Sequence, residues 1–560
     1  MALETYTITN FGGLNEVDPP DDVGIETATA LADVEWDRST GSIRQRYGSA
    51  NFLASAESRY FTALYAHSSS RLLGFHSIAG TPTVEAYNAS GTSLTSTTTS
   101  LYASFATIGT PSATYTYIGD TGSAGVMQRY DGTSFSSPSG MPRAYYVAVQ
   151  PNDNRLVAAG TLSSSSATDT IDDAGGFTLP QATITVDDTT GFATSGVFYV
   201  TSTTGTQEIA YTGTTGTTFT GCSGGTGDVA DNATVTAYCG PGGAVSSPSH
   251  VWFSQPGAPE TWRGEEETEF RNFVILTPGD GEDIRAVVAW RNSVFVFKRS
   301  RIFVFYGNST DEDGNAVFNY RTIELSPSER VWGSAYTPIA CAGPDGVYYA
   351  GETGVMMTTG DTPMNISAPL DWDDSNQSAT GYAALPSIAG ERLYITSYQA
   401  GTNGIYFYDF PTGQWGKLSL GSASNVLHWK DTQTLYADHT AFQVRYLGRV
   451  GDTDDAGTAI AASWTSGISN LGYEGEKRLK YIDVWGTGTV SLSVASNFGS
   501  PTNATTLTLG SSTVDRTRYK ISAVGHFFGI KFASVAGAAW KVHRVVLHYE
   551  ATANAQHDRT

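Results

Sequence analysis

The chain has 560 residues and is strongly acidic, with 54 Asp and Glu against 32 Lys and Arg and a net charge of −22. Such a surface repels phosphate groups, which argues against a protein that clamps nucleic acid or reads its sequence. The sequence has neither an apolar run long enough to span a membrane nor the basic and apolar start of a secretion signal, so we expect neither.

The composition favours strands and turns over helices. Gly is abundant at 61 residues, Tyr at 30 and Phe at 25, whereas Met is rare at 6. Short apolar runs alternate with clusters of Gly, Ser, Thr, Asn and Asp, which is the pattern of β-strands joined by turns. We therefore predict an all-β fold, with one short helix of one or two turns at residues 26–36.

Residues 1–58 form an irregular stretch that we call the N-terminal segment. It contains paired Gly and paired Pro residues. Near its end lies the basic sequence Ile43-Arg44-Gln45-Arg46-Tyr47. This last sequence predicts a short strand.

Residues 59–160 and 248–455 carry two repeated half-motifs. In the first, a polar turn precedes an Arg and an apolar strand; in the second, an apolar strand ends in Tyr before Asp or Asn and a turn. The Arg positions are 71, 155 and 392, and the Tyr positions are 87, 130 and 408. Arg71 lies 16 residues before Tyr87, and Arg392 lies 16 residues before Tyr408. A four-stranded unit repeated about every 40–50 residues predicts a β-propeller, with seven blades or, as the near alternative, six.

One stretch of this region illustrates the strand pattern well. Residues 285–307 contain three apolar runs separated by Arg291-Asn292 and Arg299-Ser300. They predict three antiparallel strands joined by tight turns.

Two further regions differ from the repeat. Residues 161–247 are rich in Thr, Ser and Gly, and the blade pattern resumes after them, which predicts a small β-module inserted into one blade. Residues 456–560 contain longer alternating runs from Ser463 onward, which predict a C-terminal antiparallel β-sandwich.

The motifs that usually accompany catalysis or metal binding are not recognisable in the sequence. We therefore predict that the protein is not an enzyme and has no catalytic, cofactor or metal site. Two acidic groups are candidates for the carboxylates of a glycosidase. The two catalytic carboxylates of such an enzyme must lie close together in space. The first group is Asp280, Glu282 and Asp283; the second is Glu265, Glu266, Glu267 and Glu269.

Other polar stretches are expected to be turns, loops or linkers. Residues 311–315 resemble half of a calcium loop but lack its terminal Glu, so a hairpin tip is expected, and residues 451–457 are expected to be a linker. Residues 409–415 are interpreted as a turn with an anchoring Trp. His526, His543 and His548 are expected at the surface or the edge of the core. Cys222 and Cys239 lie near each other and leave a disulfide open, although free thiols are favoured for all three cysteines, including Cys341.

The N-terminal segment resembles the start of a family of bacteriophage virion proteins. The resemblance rests on the sequence Phe11-Gly12-Gly13-Leu14-Asn15 and on a second group consisting of Asp33, Val34, Trp36, Asp37, Gly41, Ile43, Arg44 and Arg46. Residues 182–225 resemble a small module found in phage tail and baseplate proteins, and the C-terminal region resembles the same group.

The resemblance implies a structural tail protein of the virion, made in the host cytoplasm. Related propeller proteins of short-tailed phages form the nozzle, a ring of six subunits that continues the DNA channel below the adaptor. The implied partners are other copies of the chain, the adaptor, a tail fibre or spike, and genomic DNA that passes without specific binding. The N-terminal segment would then be an assembly arm that lies along a neighbouring blade or subunit.

The sequence is also compatible with two other functions. The runner-up is a tail protein that binds glycan on the host surface through the inserted module or the sandwich. A glycan-degrading tail enzyme is the third.

Overall fold

Strand is the dominant regular structure of the protein in a computed structural model. The structure describes residues 3–57, 60–77, 82–99, 103–110, 113–120, 127–138, 141–142, 144–150, 154–160, 168–190, 192, 196–237, 249–262, 273–277, 280–310, 316–332, 339–371, 385–396, 405–420, 423–430, 433–438, 441–450, 452–511, 513–535 and 538–552. Within these ranges the one helical element is the 3-10 turn Pro327–Glu329, and no helix there is long and apolar enough to cross a membrane. The protein is all-β, as predicted.

The prediction of a helix at residues 26–36 is wrong. This stretch forms the strands Ala28–Ala32 and Val34–Asp37, separated by Asp33 at a φ of 55°. Ala, Leu and Glu favour helices only weakly, and pairing with strands elsewhere in the fold overrides that preference. Ala28–Ala32 pairs with Ser463–Ser466, more than 400 residues later in the chain.

Among the described residues, seven sheets follow one another outside the inserted module and the C-terminal region, and in the seventh the pairing of Asp454–Asp455 with Ser49–Asn51 is parallel. Six contain four strands each, in the order in which the strands occur in the sequence, and the seventh contains six. The first three are formed by Tyr60–Ser68, Arg71–Ser77, Thr83–Asn88 and Ser93–Thr98; by Ala103–Gly109, Thr114–Asp120, Gln128–Tyr130 and Phe135–Ser136; and by Tyr146–Gln150, Arg155–Ala159, His250–Phe253 and Phe273–Ile275.

The next three sheets follow the same order. They are formed by Ala286–Trp290, Ser293–Phe297, Arg301–Thr310 and Ala316–Glu324; by Ala340–Ala342, Val347–Gly351, Gly354–Thr358 and Met364–Asn365; and by Leu385–Ala389, Arg392–Thr396, Ile405–Asp409 and Gln414–Leu418. The three strands predicted at residues 285–307 are confirmed by the pairing of Ala286–Trp290 with Ser293–Phe297 and of the latter with Arg301–Thr310.

The seventh sheet takes a strand from the N-terminal segment. Its order is Ala423–Trp429, Gln433–Asp438, Gln443–Leu447, Ser49–Asn51, Asp454–Asp455 and Thr458–Ala459. The strand that enters this sheet is Ser49–Asn51, just after the strand predicted at residues 43–47. Most of the predicted stretch lies in the strand Ser42–Gln45, which pairs instead with Val34–Asp37 and with Trp540–Ala551. Residues 454–455, expected as part of a linker, form a strand.

The sequence half-motifs mark equivalent places in these sheets. Arg71, Arg155 and Arg392 each begin the second strand of their sheet, whereas Tyr87, Tyr130 and Tyr408 lie at or next to the end of the third. Arg392 is paired in register with Asp409, and Arg71 with Asn88. The repeated spacing therefore measures one hairpin, from the start of its first strand to the end of its second.

Contact clustering divides the chain into two compact units. The first unit contains Met1–Leu64, Thr353–Met357 and Met364–Thr560, and the second contains Tyr65–Glu352 and Thr358–Pro363. In the second unit, the sheet of Tyr146–Gln150 packs on both faces. One face meets Ala106, Ile108 and Tyr117 of the preceding sheet, and the other meets side chains of the following sheet such as Val294 and Phe303.

The inserted module has its own strands and its own core within the second unit. Its strands are Thr168–Thr170, Phe177–Leu179, Thr183–Thr185, Gly196–Ser202, Gly205–Tyr211, Gly213–Thr214, Thr218–Thr220, Gly227–Val229 and Thr234–Ala237. They pair only with one another among the described residues and bury a cluster that includes Phe198, Ile209 and Phe219. Cys222 is a free, buried thiol of this core, whereas Cys239 lies outside the described residues.

The C-terminal region of the first unit is built on one long strand, Lys477–Ser496. The first half of this strand pairs with Asp515–Gly525 and Trp540–Ala551, and its second half pairs with Thr502–Thr508 and Phe528–Ser534. We call this region, with Ser463–Ser466, the sandwich, a name taken from the sequence prediction; its strands belong to a single ten-stranded sheet together with strands of the N-terminal segment. The N-terminal segment completes it: Glu4–Ile8 and Ser42–Gln45 pair with Trp540–Ala551, and Ala28–Ala32 pairs with Ser463–Ser466.

Candidate functional site

The motif residues of the N-terminal segment converge on one place in the first unit. The strands Val34–Asp37 and Ser42–Gln45 form what we call the N-terminal hairpin. Trp36 lies opposite Ile43 in this hairpin, and both side chains are buried. The hairpin turns at Asp37, whose carbonyl accepts hydrogen bonds from the N–H groups of Thr40 and Gly41. Gly41 has a φ of 65°, which a residue with a side chain adopts only with strain.

A network of ion pairs joins this hairpin to the sheet of residues 385–418. Arg38 donates to both carboxylate oxygens of Asp409, at 3.2 and 2.5 Å, and also pairs with Glu391. Arg392 donates to the second carboxylate of the network, Glu35, at 2.9 Å, and its Nε reaches Asp409 at 3.1 Å. Asp409 is almost fully buried, with a side chain that is 1% exposed, so this network is shielded from solvent at its centre.

The arginines hold these carboxylates in the ionised form. Burial raises the pKa of Glu35, but the charges of Arg392 and Arg44 outweigh it, and the pKa lies below its ordinary value. Burial likewise raises the pKa of Asp409, and hydrogen bonds from Arg38, Thr412 and Arg392 lower it further than burial raises it. Both groups therefore remain charged at neutral pH.

A second buried network lies at the end of the hairpin. The side chain of Arg46 is 1% exposed and donates to Asp33 at 2.6 Å and to Asp455 at 2.8 and 2.5 Å. A further hydrogen bond from Arg46 reaches the carbonyl of Tyr47 at 3.0 Å. Asp33 in turn accepts the backbone N–H of Ser419 at 3.0 Å. Burial lowers the pKa of Arg46, but the two carboxylates more than compensate and raise it above its ordinary value. The guanidinium thus ties three parts of the first unit together.

The other motif, at residues 11–15, fixes the segment by close packing. Phe11 is fully buried and meets the ring of Trp464 edge-on, with 5.3 Å between centroids. Leu14 donates its backbone N–H to the carbonyl of Trp415 at 2.8 Å. A Cβ atom on Gly13 would lie 2.9 Å from that same carbonyl oxygen, so only glycine allows this approach. Trp415 is itself anchored by a hydrogen bond from its indole N–H to the carbonyl of Ile366.

A cleft of about 490 Å³ opens beside the first ion-pair network. Its polar lining includes Asp37, Arg44, Glu391, Arg392 and His428. A glycosidase needs one carboxyl group that stays protonated next to one that is ionised. Here the pKa of Asp37 is below its ordinary value because Lys541 and Ser39 donate hydrogen bonds to it. The carboxylates of this cleft therefore serve as acceptors in ion pairs, and the arrangement is suited to holding strands together.

The acidic groups considered for glycoside cleavage have structural roles where they are described. Asp280 accepts two hydrogen bonds, each 3.0 Å long, from the buried Lys298, and Glu282 accepts hydrogen bonds from the N–H and hydroxyl of Ser300. Residues 265–269 and 311–315 lie outside the described residues. Within the described ranges, no group of three potential ligands is placed to hold a metal ion.

The remaining polar residues of interest lie in the sandwich and in the turn at residues 409–415. His548 donates a hydrogen bond from its Nε2 to Asp483 at 2.9 Å, and the backbone N–H of the exposed His526 donates to Asn497. The turn at residues 409–415 does carry an anchoring Trp415, which is 2% exposed.

Sequence reasoning singled out the motif residues but not their partners. Arg392 and Asp409 were recognised only as repeat positions, and Asp455 was assigned to a linker. The opposite charges of these residues are visible in the sequence, yet only the fold brings them to Arg38, Glu35 and Arg46.

Comparisons with known proteins give no family assignment. No family model matches the sequence, and no curated protein matches it. A crystal structure of BBS1N in complex with ARL6DN is similar with a TM-score of 0.32 at 7% identity, covering 73% of this chain and 99% of that one. A structure described as a glycoside hydrolase has a TM-score of 0.20 at 10% identity, covering 95% and 99%. An exo-beta-1,3-galactanase from Phanerochaete chrysosporium with beta-1,3-galactotriose has a TM-score of 0.15 at 10% identity, covering 79% and 95%. Such low TM-scores carry no conclusion about function.

Proposed function

We propose that this chain is a structural subunit of a bacteriophage tail, of the type that forms a ring around the DNA channel. The main support for the proposal is the structural role of the motif residues on which the phage resemblance rests. Asp33, Trp36, Asp37, Arg44 and Arg46 form packing and ion pairs within the N-terminal segment, and two of them also pair outside it, Asp37 with Lys541 and Arg46 with Asp455. A motif used in this way serves a rigid scaffold.

The proposal includes a propeller in which the seven successive sheets are the blades. The seventh sheet takes Ser49–Asn51 as its fourth strand, and the first sheet begins nine residues after Asn51, at Tyr60. Tyr60 stacks against Phe442, which precedes a strand of the seventh sheet, with 4.6 Å between ring centroids. Sharing the last blade between the two ends of the repeat region would close the ring of blades, in which only short, protected sheet edges remain.

In this proposal the subunits form a hexameric ring in the virion. Its partners are the adaptor, a tail fibre or spike, and DNA that passes through the ring. An acidic lining would let DNA pass without retaining it, because each Lys or Arg contact would add salt-dependent affinity.

The test is to image the purified chain by electron microscopy and to assay it for hydrolysis. We expect closed rings of subunits that carry propeller density, and no release of reducing sugar from host envelope polysaccharide. A chain that remains monomeric at all concentrations, or one that releases sugar and loses this activity on a single carboxylate substitution, would refute the proposal.

Glycan binding is the second candidate, and one surface feature favours it. Phe498 is 60% exposed at a tip of the sandwich and packs against Phe527, with 5.3 Å between ring centroids. Asn497 and Phe498 both have positive φ, at 49° and 62°, and such strain in a bulky residue often marks a functional position. Exposed aromatic faces beside amide and imidazole groups suit the apolar faces and hydroxyl groups of sugars.

If this tip binds glycan, Phe498→Ala should abolish binding of the protein to host envelope polysaccharide, measured by titration calorimetry. Val514→Ala, at another exposed apolar side chain of the sandwich, is the matched control and should bind normally. Absence of binding by the unmodified protein, or equal binding by all three proteins, would exclude this tip as the glycan site.

A further inference from the structure

The charge of the chain is distributed very unevenly. Residues 463–552 contain nine Lys and Arg against five Asp and Glu, within a chain whose net charge is −22. The inserted module is the opposite extreme, because residues 161–247 contain eight Asp and Glu and no Lys, Arg or His. The sandwich is therefore basic although the chain as a whole is acidic.

The basic residues of the sandwich share one outer sheet face. On the central strand, Tyr481, Asp483 and Trp485 point to this face in alternation. The strand on one side places Lys520, Arg518 and Arg516 opposite them in register, and the strand on the other side places His548, Val546 and Arg544 there. We call Arg516, Arg518, Lys520 and Arg544, with Tyr481 and Trp485, the basic face.

The arginines of the basic face are held in place by aromatic rings. Trp485 has the guanidinium of Arg544 at 4.9 Å from its ring and that of Arg516 at 5.9 Å, and Arg518 lies 5.1 Å from the ring of Tyr481. Cation–π contacts of this kind orient a guanidinium without using up its N–H donors. The long side chains are therefore ordered before any partner arrives, which lowers the entropy cost of binding.

One buried carboxylate supports the basic face from below. Asp483 is 3% exposed and accepts hydrogen bonds from Arg518 at 2.7 and 2.8 Å. Those hydrogen bonds are the main reason that the pKa of Asp483 lies below its ordinary value. The side chains of Arg516 and Arg518 nevertheless remain 48% and 44% exposed, and Lys520 and Arg544 are exposed as well. Four cations over a single buried anion leave the face positive.

The module offers a complementary surface. Ile171 and Val186 form an isolated antiparallel β-bridge in the module, and both side chains are part of the module's core. Asp172 and Asp187 flank this bridge, so both point away from the core, and both are exposed. Asp173, Asp188 and Asp231 lie nearby and are exposed too. With no cation in the module, these carboxylates have no compensating charge of their own.

We propose that the basic face docks on the acidic inserted module of a second copy of this chain. The inference rests on the proposed function, because a ring requires each subunit to present two different, complementary surfaces. The guanidinium groups of Arg516 and Arg544 lie beside the ring of Trp485 and are exposed, which suits them to bidentate pairing with exposed carboxylates. The charge difference between the two regions would also bring the surfaces together in the correct orientation.

The test measures self-association of the full chain by sedimentation velocity at low and high salt. Lys520→Glu with Arg544→Glu should weaken association at least about 100-fold, because like charges then face each other. Asp172→Lys with Asp187→Lys should weaken it similarly, whereas a chain that carries all four substitutions should associate again. Raising NaCl from about 0.05 M to about 0.5 M should weaken association of the unmodified chain. Arg321→Glu with Arg449→Glu is the matched control for net charge, since both residues lie in exposed ion pairs, and it should associate normally.

Each other outcome overturns the inference. If the four-substitution chain stays dissociated although it folds, as judged by circular dichroism, the two surfaces are not partners. If Lys520→Glu with Arg544→Glu leaves closed rings in electron micrographs, the basic face is not the contact and the proposed function still stands. If the unmodified chain binds a single-stranded oligonucleotide through this face and self-association is unaffected by the substitutions, the face is a nucleic-acid site.

Discussion

Arg46→Ala is expected to lower the free energy of unfolding of the first unit by about 3–5 kcal/mol, which is the typical cost of breaking a buried ion pair on one side. The Arg46 side chain is 1% exposed and is the shared partner of Asp33 and Asp455. Without it, two carboxylates would face each other in a poorly hydrated site with their hydrogen bonds unmade. Lysine should rescue only part of the loss, because an ammonium group cannot form the same bidentate contact.

The measurement is urea unfolding followed by tryptophan fluorescence, with Arg449→Ala as the control. Arg449 also pairs with an aspartate, Asp452, but its side chain is 51% exposed. Exposed pairs contribute roughly 0–1 kcal/mol, so the control should unfold close to the unmodified protein. Equal midpoints for the two variants would show that the buried network does not stabilise the unit.

Removal of residues 1–48 is expected to prevent folding of the first unit rather than to release a soluble, arm-less domain. The segment buries Phe11, Leu14, Trp36 and Ile43, each worth about 1.5–3 kcal/mol when fully buried. It also supplies strands to the sandwich. Together these losses approach the entire stability of a typical domain, which is about 5–15 kcal/mol. The segment therefore belongs to its own unit, a placement that the prediction of an arm along a neighbouring blade or subunit had left open.

The truncated chain should be insoluble or should unfold without a cooperative transition in thermal denaturation. Deletion of the residues before Glu4 is the control, because the paired strands begin at that residue. A synthetic peptide of residues 1–48 added during refolding should restore part of the cooperative transition. A soluble truncated protein with an unchanged melting curve would contradict the expectation.

Local pattern predicted strands well where each strand pairs with its neighbour in sequence. At residues 285–307, alternating apolar residues and two-residue turns specify a three-stranded meander, because turn geometry sets the register of adjacent strands. The positions of Arg392 and Tyr408 at the two ends of a hairpin could likewise be predicted, since both residues belong to that single hairpin. The inserted module was inferred from its shift in composition and from its resemblance to a phage module, and its described strands pair only with one another.

The candidate site was only half predictable. The motif residues Asp33 and Arg46 were singled out by the resemblance, but Asp455 was assigned to a linker. The basic face was missed because nine basic residues are diluted in the net charge of the whole chain. Arg516, Arg518 and Lys520 alternate in the sequence, which would have placed them on one strand face. Their alignment with Arg544 depends on pairing with the strand Lys477–Ser496.

The sequence by itself determined that the protein is all-β and where the meander at residues 285–307 and the hairpin from Arg392 to Tyr408 lie, because these features depend on interactions between neighbours along the chain. Only the tertiary structure decided that residues 26–36 are strands, that the N-terminal segment completes the sandwich and the seventh sheet, and that Arg46 meets Asp455. These contacts join residues about 400 positions apart. Their energy comes from burial and charge pairing between distant segments, on which local propensity and periodicity carry no information.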